Sequence, residues 1–415
     1  MRKGHAFNTL LRKELKSRMR NIELNFQRLS SLEYSIEKVF RDASYDWPGD
    51  WEGRALLAFC CHYEISKKAI PCMHLMMQDL PKKTNANSYF GKEFDGETVD
   101  EQQLSGHNWY LRGLLKYALL FNSDFAMQAA KSTVENLYLP AMAWYNSYPL
   151  ERNHLTGGVS GNVIGMQNGW KLSSDVGCAF MCVDGLAHYY AVTKDERVKQ
   201  FLDKAIDLFA TIDLVQYKFQ THTTLTCTRG ILKLYESTGD KKYLLLAEKV
   251  LKTYTMYGMT LTYENFNWFG REDTWTEPCA VVDSFILATE LYKITGEREY
   301  LKLSRRIWFN GLQFCQRENG GAGPNTCVTQ TQRTLKISMY EAPFCCTMRY
   351  AEGLLEYTQN QSLFAWDSSA KKITDDLGRR FIDDKLLVEY HGKEEPIFSC
   401  NEYSYELSNS IELTI

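Results

Sequence analysis

The chain has 415 residues, of which 44% are hydrophobic and 24% charged, with a formal net charge of -3. Such a length and apolar fraction build a large buried core, which excludes a disordered or fibrous chain. The nearly balanced charge excludes the basic surface that nucleic acid requires and an acidic interaction tail.

The chain opens on the basic run MRKGHAFNTLLRKELKSRMR, which lacks the apolar core and small-residue cleavage site of a secretory signal. No apolar run approaches the ~18 residues that a membrane span needs. The expectation is a cytoplasmic protein with no membrane partner, or a periplasmic or secreted one if a leader has been removed upstream. There are 12 cysteines, most of them inside apolar helical patterns such as LLAFCCHYE and GCAFMCVDGLAHYY. A reduced thiol in such a place behaves as a small hydrophobe, so a reducing compartment without a disulfide framework is expected.

Along the chain one pattern recurs: an apolar-periodic helix, a tight turn and a second helix. The turns lie in FNSDFAMQAA (121–130), VTKDERVKQF (192–201), STGDKKYLLLAEKVL (237–251) and ITGEREYLKLSRRIW (294–308). In each, a Thr/Ser-Gly-Asp/Glu type sequence ends one helix at a flexible residue and lets the acid cap the next, so the repeating unit is a helical hairpin. Stacked hairpins bury their apolar faces as an open solenoid or as a closed ring. Trp47, Trp51, Trp109, Trp144, Trp170, Trp268 and Trp275 fall near turns or in long loops. That placement suits the rim of a closed ring around a carbohydrate-sized pocket, and the predicted fold class is all-α, an (α/α) toroid. The loops between hairpins cover 85–106, 151–175, 262–278 and 317–334; irregular segments of that length in a compact domain are commonly functional. After about 371 the texture changes to period-2 alternation, as in KLLVEYHG and EYSYELSNSIELTI, which predicts β-strands. The expected division is a helical domain over 1–370 and a β segment over 371–415, either paired back onto the helical domain or opening a β-sandwich.

Two short stretches carry chemistry. In REDTWTEPCAVVDSF, Glu277 and Cys279 stand two apart at the start of an apolar helix, and in EAPFCCTMRYAEG, Cys345 and Cys346 stand side by side at the mouth of another. One carboxylate and three thiolates make a tetrahedral set that suits zinc. The spacing is not that of a zinc finger, and packed, buried thiols are the other reading of the same residues. A second adjacent pair, Cys60 and Cys61, has no acidic or Cys partner at ligand spacing and reads as core. RENGGAGPNT has glycines but no Lys-Ser/Thr and no preceding strand, so it is not a phosphate loop.

The segment ENFNWFGREDTWTEPCAVVDSF, followed later by EAPFCCTMRYAEGLLEY, resembles the catalytic core of glycoside hydrolase family 127 (GH127), the DUF1680-type β-L-arabinofuranosidases, in which a Glu-x-Cys motif and a Cys-Cys pair bind one zinc. WEGRALLAF, SDVGCAFMCVDGLAHYYAVT and THTTLTCTRGILKLYESTGD resemble the early and middle helices of that family, so the resemblance spans roughly residues 40 to 360. It implies an (α/α)6 barrel and a retaining glycosidase. It implies zinc bound by Glu277, Cys279, Cys345 and Cys346, with Cys345, kept as thiolate by the metal, as the nucleophile that forms a thioglycosyl intermediate. It also implies a Glu acid/base, taken as Glu264 in YENF, with Glu272 in GREDTW as its competitor.

The chain departs from the family where Pro-Pro-Asn after the Cys pair is replaced by Thr347, Met348 and Arg349, and where Phe180 and Met181 stand near an expected sugar-holding His. His222 lies about one helical turn before the nearest match to another such His. The likeness therefore carries the thiolate chemistry further than it carries the sugar preference. Candidate sugar-binding residues are His222, His107 with its neighbour Trp109, and Asp175; helix capping is the competing role for His222, His107 and Asp175. The expected partner is a carbohydrate, a plant-type arabinose-containing oligosaccharide or a related glycan, and homodimerisation is left open. The alternative is a noncatalytic glycan- or protein-binding toroid with a structural zinc site. A metal-free sugar epimerase or uronyl hydrolase on the same fold would need paired His or Asp residues on barrel helices and leaves the four-ligand coincidence unexplained.

Overall fold

The computed structural model describes residues 20–41, 44–152, 160–331 and 334–364, together with the backbone of six short strands between 373 and 414. Residues 1–19, which hold most of the basic opening, and 153–159 of the loop 151–175 lie outside the described residues.

The helices run in chain order α1 (Asp50–Ser66), α2 (Cys72–Lys83), α3 (Glu101–Phe121), α4 (Asp124–Thr133), α5 (Cys182–Thr193), α6 (Glu196–Thr211), α7 (Thr221–Thr238), α8 (Lys241–Tyr257), α9 (Pro278–Thr295), α10 (Arg298–Arg306), α11 (Cys346–Gln359) and the single turn α12 (Gln361–Phe364). Each odd-numbered helix packs on the next, and α11 packs back on α1, closing a ring. Each even-numbered helix packs outside the odd-numbered one before it. The architecture is an (α/α)6 barrel.

The sequence dictates which layer a helix joins. In α9 every residue from Pro278 to Thr289 is buried, and in α7 every residue from Thr221 to Leu232, as expected of helices covered on all sides. The outer α6 buries only Val198, Phe201, Leu202, Ala205, Ile206 and Phe209, the i, i+3, i+4 stripe of an amphipathic helix.

The hairpin turns have the expected chemistry. Asn122, Lys194, Gly239 and Gly296 all take the left-handed conformation that ends a helix. Ser123, Asp195 and Asp240 then cap the following helices by accepting the amides of Ala126, Arg197 and Lys242. Glu297 makes no such side-chain bond; its extra methylene places the carboxylate badly for an N-cap, which favours Ser, Thr, Asp and Asn.

The loop expected over 85–106 ends early. Asp100 accepts the amides of Gln102 and Gln103, so α3 already begins at Glu101. Strands β1 (Val99–Asp100), β2 (Val163–Gln167) and β3 (Trp170–Ser173) form a small sheet of order β1-β3-β2. Near the end of the chain, β4 (Thr334–Lys336) pairs antiparallel with the strand Glu412–Thr414, so one late strand pairs back onto the loop that precedes α11.

Candidate functional site

The inner helices all run the same way, so their N-termini meet at one end of the barrel. Glu277 is the N-cap residue of α9 and Cys345 that of α11. The Glu277 amide donates to Asn265 Oδ1 at 2.7 Å, and Pro278 follows at the first helical position, where its missing N–H has no partner to lose. Helix N-termini carry partial positive charge, which favours thiolates and carboxylates there.

Three sulfurs converge at this end. Cys279 Sγ lies 3.3 Å from Cys345 Sγ and 3.8 Å from Cys346 Sγ, and the sulfurs of Cys345 and Cys346 are 3.9 Å apart. His222 Nδ1 lies 3.0 Å from Glu277 Oε1. Two trios, Cys279–Cys345–Cys346 and His222–Glu277–Cys279, could each hold a metal ion, their ligand atoms all lying within 4.8 Å of one another. The donors fit zinc: soft sulfur, imidazole and carboxylate oxygen in two trios that share Cys279, with Glu277 Oε2 buried and lacking a hydrogen-bond partner among the described residues. Hydrogen bonds from the Cys279 and Cys346 thiols, then the Arg54 cation and His222, hold Cys345 well below the usual thiol range, whereas burial pushes Cys279 well up. Arg54 Nη1 lies 3.6 Å from Cys279 Sγ, and its Nε bonds both Asp50 oxygens at 2.9 Å.

A cavity of about 410 Å³ opens beside the thiols. Cys345 lines it and Cys279 and Cys346 do not. His222, Glu277, Asp50 and Asp175 supply its polar groups, and Tyr45, Trp47, Trp51 and Phe344 its aromatic ones. Trp51 stacks on Phe344 with ring centroids 3.8 Å apart, and the Arg41 guanidinium lies 3.7 Å from the Trp51 ring centroid. Asp175 accepts from Ser160 Oγ at 2.8 Å and from the Gly161 amide at 3.1 Å. Burial, followed by the charge of Glu277, pushes its carboxyl up to about 8, so it is protonated near neutrality. Burial also raises Asp50, but the Arg54 cation opposes it and the carboxyl stops at about 6.

Of the residues singled out in the sequence, His222, Asp175, Glu277 and Cys345 line this cavity. Glu264 and Glu272 do not. Glu264 is buried and accepts from Asn325 Nδ2 at 2.8 Å, Thr262 Oγ1 at 2.8 Å and Thr276 Oγ1 at 3.1 Å, tying the loop 262–278 to the loop 317–334. Its neighbour Tyr263 sits at φ +62°, and the Thr260 hydroxyl accepts the Glu264 amide at 3.0 Å; this tight turn aims the carboxyl into the loops. Glu272 is exposed and accepts from Thr331 Oγ1 at 3.3 Å.

His107 and Trp109, expected to contact sugar, are both wholly buried, and neither lines the cavity. His107 Nδ1 lies 2.8 Å from Gln103 O, and Nε2 accepts the Phe90 amide at 3.0 Å, so both ring nitrogens are taken by backbone. Burial lowers its pKa to about 4, which keeps the ring neutral. Trp109 stacks on His222 with centroids 5.8 Å apart and carries the guanidinium groups of Arg54 and Arg349 at 4.5 and 4.1 Å from its ring centroid. It supports the site's histidine instead of meeting a ligand.

Sequence reasoning missed Asp50, Arg54 and Asp283. Each had a signal: Asp50 and Arg54 form an i, i+4 ion pair at the head of an otherwise apolar helix, and Asp283 is a lone acid in CAVVDSFIL. Asp283 accepts from Arg229 Nη1 and Thr226 Oγ1, both at 2.6 Å, and from Arg349. Arg349, one of the departures from the family pattern, thus has a place: it pairs with Asp283 and Glu352 on the barrel axis.

Comparison with known proteins meets this geometry. Residues 151–310 match the family model of the beta-L-arabinofuranosidase GH127 catalytic domain, a stretch that takes in Glu277 and Cys279 and ends before the Cys pair. The resemblance to GH127 is borne out. Among solved structures, a GH127 beta-arabinofuranosidase superposes with a TM-score of 0.53 at 11% identity, covering 97% of this chain and 63% of that one. A cellobiose 2-epimerase from Bacillus thermoamylovorans gives 0.53 at 17% identity, covering 80% of this chain and 98% of that one. A GH76 alpha-mannanase from Bacteroides thetaiotaomicron gives 0.52 at 12%, covering 82% and 97%. Identities this low speak for the fold, and these neighbours share the (α/α)6 barrel. The chain spans 63% of the length of the GH127 structure and of a further glycoside hydrolase that it matches. No curated protein sequence matches the chain. Among the described residues no helix is long and apolar enough to cross a membrane.

Proposed function

We propose that the protein is a retaining glycosidase of the beta-L-arabinofuranosidase type, in which Cys345 is the nucleophile and Glu277, Cys279, Cys345 and Cys346 are the donors for zinc. The observation that carries this is the position of Cys345: of three clustered cysteines it alone reaches the cavity wall, at a helix N-terminus and beside the Arg54 cation. The GH127 match over residues 151–310 gives the sugar class its direction, an arabinose-containing oligosaccharide or a related glycan. In this proposal the barrel of residues 1–370 is the catalytic unit and the strands after 371 are an appendage.

The Cys345 thiolate attacks the anomeric carbon; the C–S bond forms as the C–O bond to the leaving group breaks, and a carboxyl delivers its proton to the departing oxygen. The same group, now a carboxylate, takes a proton from water, whose oxygen displaces the sulfur and regenerates the thiolate. Bound zinc supplies the charge that keeps the clustered thiols deprotonated. Asp175 is the proton donor that the cavity offers in place of Glu264: it lines the wall, is held by Ser160 and Gly161, and burial pushes its carboxyl up to about 8. Trp47 and Tyr45 offer the aromatic faces against which a sugar ring packs, whereas the ring of Trp51 is covered by Phe344 and Arg41.

The test is hydrolysis of an aryl and an alkyl β-L-arabinofuranoside by wild type and by the Cys345→Ser, Asp175→Asn and Glu264→Gln variants, with mass analysis for a sugar adduct on Cys345. Asp175→Asn should lose the alkyl substrate far more than the aryl one, because an aryl leaving group departs without a proton. The same pattern in Glu264→Gln alone would return the role to Glu264. Neither candidate glutamate lines the cavity, and that favours a second reading, a noncatalytic glycan- or protein-binding toroid with a structural metal site. That reading prevails if no glycoside is cleaved and no adduct forms.

A further inference from the structure

His222 has a geometry that sugar binding does not explain. Its Nδ1 lies 3.0 Å from Glu277 Oε1, and the two residues form a compact donor trio with Cys279. Its Nε2 points the other way and lies 3.5 Å from Asp283 Oδ2. Asp283 cannot swing toward or away from the ring, because Arg229, Arg349 and Thr226 all bond it. The flat face of the ring is fixed on Trp109. Among the described residues Nε2 is buried and makes no hydrogen bond, so it faces the immobilised carboxylate without bonding it; an imidazole ligand that gives this N–H to a carboxylate is oriented and strengthened by it.

We propose that His222 is a metal ligand and Cys345 an exchangeable one: Glu277, Cys279, Cys346 and His222 form a set that holds the ion while the Cys345 sulfur is bonded to a sugar. The proposal rests on the reading of Cys345 as nucleophile. A sulfur that has formed a C–S bond has given up its anionic charge and is a weak donor, since the thiolate is the ligand form. Without a replacement, one carboxylate and two thiolates would remain. With His222 the set is one carboxylate, two thiolates and one imidazole, four donors of the kinds that tetrahedral zinc accepts, drawn from the two trios that meet at Cys279. Cys279 Sγ lies 3.8 Å from Cys346 Sγ, close to the ~3.8 Å expected between two sulfurs each ~2.3 Å from one tetrahedral ion. In the exchange His222 brings its Nδ1 lone pair, and its proton stays on Nε2, facing Asp283. No redox partner is needed and no further proton moves.

The experiment uses the full chain loaded with zinc, in four forms: wild type, wild type alkylated at Cys345 with iodoacetamide as a stand-in for the glycosylated sulfur, Cys345→Ser, and Cys345→Ser with His222→Gln. X-ray absorption at the zinc edge reads the imidazole scattering, and chelator competition reads the affinity. The alkylated protein and Cys345→Ser should keep one zinc with imidazole in the first shell, and the double variant should bind zinc about 10- to 100-fold more weakly than Cys345→Ser. Alkylation needs no folding of a variant, so a misfolded double variant leaves the scattering result standing. Zinc without imidazole scattering in the alkylated protein, an unchanged affinity in the folded double variant, or no zinc in the wild type would each overturn the proposal. Glycoside cleavage without the imidazole signal sinks this ligand set and spares the glycosidase; the imidazole signal without any cleavage does the reverse.

Discussion

The two ends of the barrel are built from the same six inner helices and both are dense in ionisable side chains, yet they differ in which groups those are. The end formed by the helix C-terminal halves holds a second cavity of about 340 Å³, lined by Arg112, Asp184, Arg229 and Glu352 among others. There Arg112 bonds Glu352 at 2.7 Å and also Asp184, and Arg229 bonds Glu352 and, toward the other end, Asp283, each at 2.6 Å. At the N-terminal end, three thiols and a carboxylate crowd together, Glu277 Oε2 has no partner among the described residues, and one sulfur reaches a cavity. Density of charge therefore does not mark the site. The kind of donor next to a cavity does, because paired carboxylates and guanidiniums hold helices together, while clustered sulfurs at a cavity wall suit an ion or a substrate.

The largest expected effect separates the ends by activity. Cys345→Ser should lower glycoside hydrolysis by at least about a thousandfold, as losing a nucleophile does, while the melting temperature moves by only a few degrees. Near-wild-type turnover in that variant would remove the distinction on which the site rests. Next comes an effect confined to the other end. Glu352→Ala removes one of the two carboxylate partners of each of Arg112, Arg229 and Arg349, leaving Asp184 and Asp283 to face three guanidiniums, and breaking a buried ion pair from one side costs about 3–5 kcal/mol. Denaturant unfolding should show that loss with zinc stoichiometry unchanged; a folded variant that also loses zinc would mean that the two ends are coupled through Asp283. A smaller effect is expected from Cys279→Ser. Activity, zinc content and thermal stability should fall together, since a lost ligand releases the ion that joins the starts of α9 and α11. Full zinc occupancy in that variant, read by elemental analysis, would take Cys279 out of the ligand set.

How much of this contrast was legible in the sequence depends on the range of the interaction. The hairpins were, because a left-handed residue followed by a capping acid is local chemistry: Gly239 then Asp240 determines both the end of α7 and the start of α8. The thiol cluster was legible because a family pattern joined Glu277 and Cys279 to the Cys pair across more than sixty residues; spacing alone favoured packed thiols. The acid/base assignment rested on the family's motif, matched by YENF, and in the fold the turn at Tyr263 directs Glu264 toward Asn325, sixty-one residues away. His107 and Trp109 look like a sugar-binding pair in sequence because a polar ring and an indole serve that role; only the packing of α3 against its neighbours shows that both are enclosed. The pairing of the axial network could not be read, since Asp184, Asp283 and Glu352 lie on three separate helices until the ring closes.

The smallest effect is a pH dependence, and its sign follows from Asp175. The carboxyl has an ordinary pKa near 3.9 when the chain is unfolded and about 8 in the fold, where burial opposes its ionisation. Below about pH 4 both states hold the proton and the residue's contribution to stability is fully present. Between about pH 4 and 8 the unfolded chain has released the proton that the folded chain retains, so stability falls as pH rises; above about 8 both have released it and the loss levels off. Asn at this position keeps an acceptor for Ser160 and Gly161 and cannot ionise, so the variant escapes the penalty. Asp50, Glu52 and Glu356 are also raised, to about 6, 7 and 8, and tilt the wild-type curve across the same window. The difference between Asp175→Asn and wild type removes their contribution, because both proteins carry them. That difference in melting temperature should grow in favour of the variant by a few degrees from pH 5 to pH 8.5. Parallel curves over that range would mean that Asp175 is already ionised at pH 5, and would remove it as the proton donor beside Cys345.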